Sequence, residues 1–405
     1  MPGFQPFRAL RYAPGTDLAA VIAPPYDVLS SADVAALAAR DEHNIVRVDV
    51  PTGGDDRYEL AAGRLGEWVE QGVLVQDDEP SLTIYRMRFT DATGARRIIS
   101  GVLGGLEVMP YGDHGVLPHE RITPKASTDR LDLTRATAAN LSPVWGLSLA
   151  AGLTAELQEP GEPVGALVVD EVEHIVERLT DPERIARIAA ILAADDVLIA
   201  DGHHRYGVSQ QYREEVRAAT GRTDTAAEYT LTFVNELVAD QLSIEAIHRV
   251  YRGICLDHLR GVLAESFDLG EVAEPVTPAI LQAMADLGRL VLLHPDGKAE
   301  WLTPKPAVFE DVRALDGAYL EHALLAVAAD PHGSDLQVDY QHGLPEMLDL
   351  VGSGSVTAGV LIRPTSLAEI ERTAREGLLM PPKSTFFTPK LRTGFVIRPT
   401  EPLPA

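Results

Sequence analysis

Cysteine is almost missing from this chain of 405 residues: Cys255 stands alone. No internal disulfide can form, which suits a reducing compartment. Long apolar runs are missing as well. No stretch approaches membrane-spanning length, and the first residues carry no basic-then-apolar segment. The expectation is a cytoplasmic protein with no membrane partner. Positive charge is scarce: 35 Lys and Arg stand against 60 Asp and Glu, a formal net charge of −25. The longest basic clusters are pairs such as Arg96-Arg97. Such a chain repels nucleic-acid phosphates, so no nucleic-acid partner is expected. The same field opposes anionic nucleotides, so a nucleotide site here needs concentrated local cations and Mg²⁺. Internal repeats and low-complexity segments are absent too.

What is present is the composition of a globular protein, 45% hydrophobic and 23% charged, long enough for two domains or subdomains. Helical and strand patterns are mixed, which predicts an α+β protein. Ser30 or Ser31 starts a helix to about Arg40. Ile45 to Val50 alternates apolar and polar residues and is predicted to be a strand. Asp56 to Gln71 is predicted to be a helix, and the segments 82–89 and 97–106 a hairpin around Asp91-Ala-Thr-Gly94. The pattern changes after residue 253. We therefore divide the chain into a core over 1–253, an inserted α+β unit over 254–330, and a C-terminal strand, helix and loop over 331–405.

The most informative stretch is Val197-Leu-Ile-Ala-Asp-Gly-His-His-Arg-Tyr206. Four apolar residues predict a short buried strand, Gly202 a sharp turn, and the residues from His203 a helix. A glycine turn feeding a helix start presents unpaired N–H groups and the positive end of a dipole. Two histidines and an arginine add donors, and the set suits a phosphate. A purely structural turn explains the same residues. Metal ligation by His203 or His204 is a further option, but adjacent side chains on one helix diverge and no HExxH or cysteine cluster accompanies them.

Two other stretches have little periodicity and much chemistry. Residues 111–128 form a polar segment containing His119, Glu120 and Arg121, which reads as either a solvated loop or a functional one. Residues 380–391 hold three prolines, and Lys383-Ser384-Thr385 offers a cation and two hydroxyls for a phosphate or carboxylate. The glycines of a Walker A motif are missing in front of it. In the segment before residue 254, Tyr26 and Asp27 read as turn formers, Asp27 also as a site candidate, and Arg249 as a weaker anion-binding candidate.

Taken together, Pro24-Pro-Tyr-Asp-Val28, His119-Glu-Arg121, Asp201-Gly-His-His-Arg205, His248-Arg249, and Pro382-Lys-Ser-Thr385 with Pro389-Lys390 resemble a bacterial and archaeal family long labelled domain of unknown function 1015. That family in turn resembles free L-serine kinases built on the ParB/sulfiredoxin fold. The resemblance implies a ParB/sulfiredoxin-like mixed-sheet core elaborated with additional α+β regions. It implies a phosphotransferase acting on an alcohol, ATP or ADP as donor, Mg²⁺, and free L-serine as small-molecule substrate, with a place in serine metabolism and cysteine biosynthesis. A homodimer is compatible with it. The segment between Glu120 and Asp201 is much longer than in the compact kinases, which implies a large insertion. Sulfiredoxins carry a cysteine in the related turn; His203 stands at that position here, so reductase chemistry through this turn is excluded.

The implied roles follow residue by residue. Glu120 is the general base for the substrate hydroxyl, a role worth roughly 10²–10⁴-fold. Gly202, His203, His204 and Arg205 bind the nucleotide phosphates, and His203 or His204 hydrogen-bonds a transferring oxygen. Asp201 is a catalytic carboxylate and a Mg²⁺ ligand, directly or through water. His119, Arg249, Lys383, Ser384 and Thr385 bind the substrate. Two alternatives stay open: a non-catalytic nucleotide sensor, and a kinase for another hydroxylated metabolite.

Overall fold

A computed structural model describes residues 1–91, 94–110, 114–120, 125–329, 335–381 and 383–401. It is a mixed α+β protein whose chain divides into two compact units, one of residues 1–243, 371–378 and 387–405, the other of residues 244–370 and 379–386. Among the described residues no helix is long and apolar enough to cross a membrane.

The first unit is built on a mixed sheet. Its strand order is Val116–Leu117, Val197–Asp201, Val144–Ser148, Tyr229–Glu236, Arg96–Glu107, Leu82–Thr90, Val172–Leu179 and Glu162–Val169, and Phe4–Gln5 also pairs with Arg96–Glu107. Two of these pairings are parallel: Val197–Asp201 with Val116–Leu117, and Tyr229–Glu236 with Val144–Ser148. Gly101 lies in the long strand because a Cβ there would meet the Phe233 ring at 2.3 Å. The helix Pro182–Leu192 starts where local chemistry directs: Asp181 accepts from the N–H groups of Glu183 and Arg184, and proline occupies the first turn. Its Ile188 and Leu192 pack with Leu82, Val102, Val197 and Tyr206 into one core. A separate core gathers Tyr12, Ile45, Leu65, Trp68 and Ile397.

Residues 45–50 depart from their strand expectation. They fold as a helical turn, Val46–Asp49. The cause is the fully buried Asn44. Its Oδ1 accepts from Val46 N at 3.0 Å, while its Nδ2 donates to Ala20 O at 2.7 Å and Ile22 O at 3.2 Å. A side chain that caps the following turn defeats the alternation. Asp49 is thereby carried into the interior.

The second unit has a six-stranded, wholly antiparallel sheet in the order Phe267–Glu271, Ala299–Pro304, Leu290–Leu293, Ala358–Leu361, His248–Arg252, Gln337–Gln341. Alternate residues face opposite ways. Tyr251, Leu290 and Leu292 pack under Leu256–Ser266 and Asp316–Ala329. Val250, Val291 and Leu293 pack under Ala279–Leu287 and Leu344–Gly352. The observed divisions differ from the expected 253/254 and 330/331. Strand His248–Arg252 pairs with Ala358–Leu361 and Gln337–Gln341, so it belongs to the second sheet.

Asn44→Ala should lower stability by about 2–3 kcal/mol, since it deletes three buried hydrogen bonds and strands their partners. The urea midpoint of unfolding reads this. A shift below about 0.5 kcal/mol would remove Asn44 as the organiser of the turn.

Candidate functional site

The stretch 197–206 folds as a strand, Val197–Asp201, a turn at Gly202 and a helix, His203–Thr220. Gly202 has φ 86°, a left-handed conformation that glycine adopts without strain. A Cβ on it would lie 2.9 Å from Arg205 Nε and 3.0 Å from Arg205 Cζ. The guanidinium therefore folds back over the turn, into space that only glycine leaves. Gly202 supplies no side-chain cap to the helix start.

Charge is concentrated at this turn. Arg205 Nη2 donates to Asp201 Oδ2 at 2.7 Å, and Lys390 Nζ donates to Asp201 Oδ1 at 2.9 Å. Arg205 Nη1 also donates to Pro143 O, and Asp27 stands 4.0 Å from Arg205 Nη2. Arg205 Nε is buried with no hydrogen-bond partner among the described residues. Burial alone would raise the pKa of Asp201, but Lys390 and Arg205 outweigh it and hold the carboxyl below its ordinary range.

Beside the guanidinium lies a cavity of about 40 Å³ of mixed lining, with Tyr26, Asp49, Arg130, Ser142, Arg205 and Ser209 among its polar residues and Leu133, Leu141 and Val208 among its apolar ones. Arg130 stacks on the Tyr26 ring at 4.3 Å and lies 3.5 Å from Asp49. Burial raises the pKa of Asp49, against the pull of Arg130.

The segment ending in Glu120 reaches the same turn. His119 N donates a long, 3.4 Å hydrogen bond to His203 Nε2, and the two rings meet edge to face at 4.7 Å. His119 Nδ1 contacts Ile199 O at 2.7 Å. A carbonyl only accepts, so Nδ1 carries the proton. Burial pushes His119 down to about 4. Burial, with His119 beside it, takes His203 well below its ordinary value. Both are neutral at pH 7. Glu120 is half-buried one residue beyond His119, and His204 is half-buried next to His203. Arg121 lies outside the described residues.

The remaining expected residues lie in the second unit. Arg249 is buried and donates to Ile247 O at 2.6 Å and Lys383 O at 3.1 Å. It thereby supports a turn in which Lys383 is exposed, with a left-handed φ of 59°. Ser384 Oγ donates to Pro381 O at 2.7 Å, and Ser384 also lines a cavity of about 330 Å³ with Asp316, Arg363 and Ser366. Thr385 is half-buried.

The expectation that Asp201 ligates Mg²⁺ meets a poor fit. Each of its oxygens already faces a cation, and no group of three or more His, Cys, Asp or Glu is arranged for a metal among the described residues. Lys390, Asp49 and Arg130 are the members of this neighbourhood that carried no expected role. Lys390 had one signal, its place in Pro389-Lys390. Asp49 was hidden by the strand-like alternation around it.

The fold and turn thus define an α+β protein whose mixed sheet carries a strand–glycine–helix turn with Arg205 and Lys390 gathered on Asp201. The chain belongs to the family described as protein of unknown function (DUF1015), whose profile matches residues 4–318. No curated protein matches it. Solved structures similar to it include a free serine kinase in complex with AMP, at 11% identity and a TM-score of 0.39 over 71% of this chain and 95% of that one. A conserved hypothetical protein from Pyrococcus furiosus is similar at 11% identity and a TM-score of 0.39, over 72% of this chain and 98% of that one. SbnI with a C-terminal truncation, from Staphylococcus aureus, is similar at 12% identity and a TM-score of 0.39, over 73% and 87%.

Burial also pushes His174 and His248 down to about 4, as it does His119. In the unfolded chain these three and His203 take up protons below about pH 6.5. In the folded chain His119, His174 and His248 do not until about pH 4, and His203 is also held well below its ordinary value, so their contribution to stability is complete above pH 6.5 and is lost as pH falls. Unfolding at pH 5 should take up roughly four protons, one per buried histidine. The slope of unfolding free energy against pH measures this. A flat profile from pH 6.5 to 5 would mean that these rings are charged in the native state.

Proposed function

We propose that this chain is a small-molecule kinase that transfers a phosphoryl group from ATP or ADP to an alcohol, with free L-serine as substrate and O-phospho-L-serine as product. The observation that carries this reading is the cradle at Gly202. A buried guanidinium with an orphaned Nε–H, folded over a glycine that leaves room for it, and an uncapped helix start converge there. The guanidinium and the helix start both favour an anion, and a phosphate meets the two.

In this reading Gly202, His203, His204 and Arg205 bind the nucleotide phosphates. The substrate hydroxyl oxygen attacks the terminal phosphorus, Glu120 accepts the hydroxyl proton, and the bond from phosphorus to the leaving oxygen breaks. The hydrogen bond from His119 to His203 supports Glu120 in that role, because it brings the preceding residue to the turn. His203 and His204 serve as hydrogen-bonding groups to a phosphoryl oxygen, and the neutral His203 adds no charge of its own. Mg²⁺ supplies charge neutralisation when bound. The part expected of Arg249, Lys383, Ser384 and Thr385 in holding the substrate's carboxylate rests on the family resemblance, as does the choice of serine.

The test is the purified chain with ATP or ADP, Mg²⁺ and L-serine, with O-phosphoserine as readout. Glu120→Gln should fold normally and lose roughly 10²–10⁴-fold in turnover. Full activity in this variant would end the base assignment. Arg205→Ala should weaken nucleotide binding at least tenfold, and unchanged affinity would remove the phosphate role of the turn. Nucleotide binding with no phosphorylated product from a panel of hydroxylated metabolites would turn the reading toward a sensor.

A further inference from the structure

The proposed chemistry leaves one group at the turn without a function, the ammonium of Lys390. It is delivered from far away, 189 residues along the chain from Asp201. The segment bearing it is anchored on both sides. Phe387 packs on Trp145 with ring centroids 5.7 Å apart, and Leu391 is buried. Thr393 pairs with Ala23 through backbone hydrogen bonds of 2.9 and 3.1 Å, and its hydroxyl meets Ser142 Oγ at 2.7 Å. Lys390 itself is mostly buried, with 13% of its side chain exposed.

A structural lysine that merely neutralises Asp201 does not explain this arrangement. Arg205 already pairs with that carboxylate at 2.7 Å, and Lys390 brings a second desolvated cation to it. Asp27 stands 4.0 Å from Arg205 and keeps 30% of its side chain exposed. Two cations aimed by one carboxylate beside a helix start resemble the cationic half of a phosphate site before the phosphate arrives. The same clamp explains why Asp201 does not fit a metal: both of its oxygens are used to aim cations.

We propose that Lys390 is a phosphate-binding residue of this site, facing the terminal phosphates of the nucleotide, and that Asp201 is the positioning residue that aims Lys390 and Arg205 rather than a Mg²⁺ ligand. This rests on the kinase reading for the identity of the anion. Lys390 has no proton to move in the reaction. Its fixed ammonium offsets the charge that develops on the transferring group.

The experiment uses the full chain with Mg²⁺ present and compares AMP, ADP and ATP affinities, with kcat and KM wherever turnover is found. Lys390→Met, which keeps the stem and removes the charge, should lose at least tenfold in ADP and ATP affinity with AMP affinity unchanged. Its kcat should fall roughly 10²–10³-fold with KM for the alcohol unchanged, and Lys390→Arg should recover part of the loss. Asp201→Asn should lower kcat while leaving the Mg²⁺ concentration for half-maximal rate where it is. Wild-type affinities and kcat in Lys390→Met, with reduced stability alone, would make the lysine structural and overturn the proposal. A raised Mg²⁺ requirement in Asp201→Asn would make Asp201 a metal ligand and overturn it too. Wild-type protein that binds nucleotide but phosphorylates nothing defeats the kinase reading alone. The affinity ratio in Lys390→Met then still decides about Lys390. Wild-type protein that binds no nucleotide defeats both.

Discussion

One carboxylate, that of Asp201, joins the pieces of the first unit that carry its chemistry. It closes the sheet strand Val197–Asp201, holds the guanidinium of the helix that follows, and receives the ammonium of a C-terminal segment. Through Arg205 the network continues to Pro143 O, at the start of strand Val144–Ser148, and toward Asp27. Desolvated charges persist only when partnered, and removing one member of such a set typically costs about 3–5 kcal/mol because it strands the others. The clamp is weak support for stability as such. Its effect is geometric: one carboxylate fixes where two cationic side chains point.

The histidines at the turn contribute differently. His119 is committed as a donor to Ile199 O through Nδ1, and His203 receives the His119 N–H through Nε2. A nitrogen that accepts carries no proton, so the His203 proton resides on Nδ1. Both rings are desolvated, and His119 further disfavours charge on His203. At neutral pH they therefore add no positive charge to the cradle. Among the described residues the cations at the turn are Arg205 and Lys390, gathered on Asp201 in a chain whose net charge is −25.

What could be read in the sequence follows the range of the forces involved. The strand, the glycine turn and the helix at 197–220 are set by near neighbours, and the sequence reading agrees with the structure there. The spacing of Asp201 and Arg205 is four residues, one helical turn, so their pairing is also local. The helix at 46–49 was not legible, because Ile45 to Val50 alternates as a strand does while one buried amide, Asn44, decides otherwise through carbonyls more than twenty residues away. The second sheet was misdivided for a similar reason. Residues 248–252 follow the first unit in sequence but find their partners at 337–341 and 358–361.

The C-terminal loop shows most clearly why spacing alone could not assign roles. Lys383 and Lys390 each follow a proline in one aperiodic stretch, and nothing local separates them. The chain, however, changes units between them: residues 379–386 belong to the second unit and residues 387–405 to the first. Lys383 sits on a left-handed turn held by Arg249, a conformation costing an L-residue on the order of 1 kcal/mol that must be offset by its surroundings. Lys390 is held by the pull of Asp201 and by the packing of Phe387 and Leu391 on either side. A motif that reads as one cationic loop is therefore two cations with separate anchors. Only the second is fixed against the carboxylate that also holds Arg205. Sequence proximity would favour giving both lysines one function. The anchoring contacts argue for giving the phosphate to Lys390 and treating Lys383 as part of the turn that Arg249 builds.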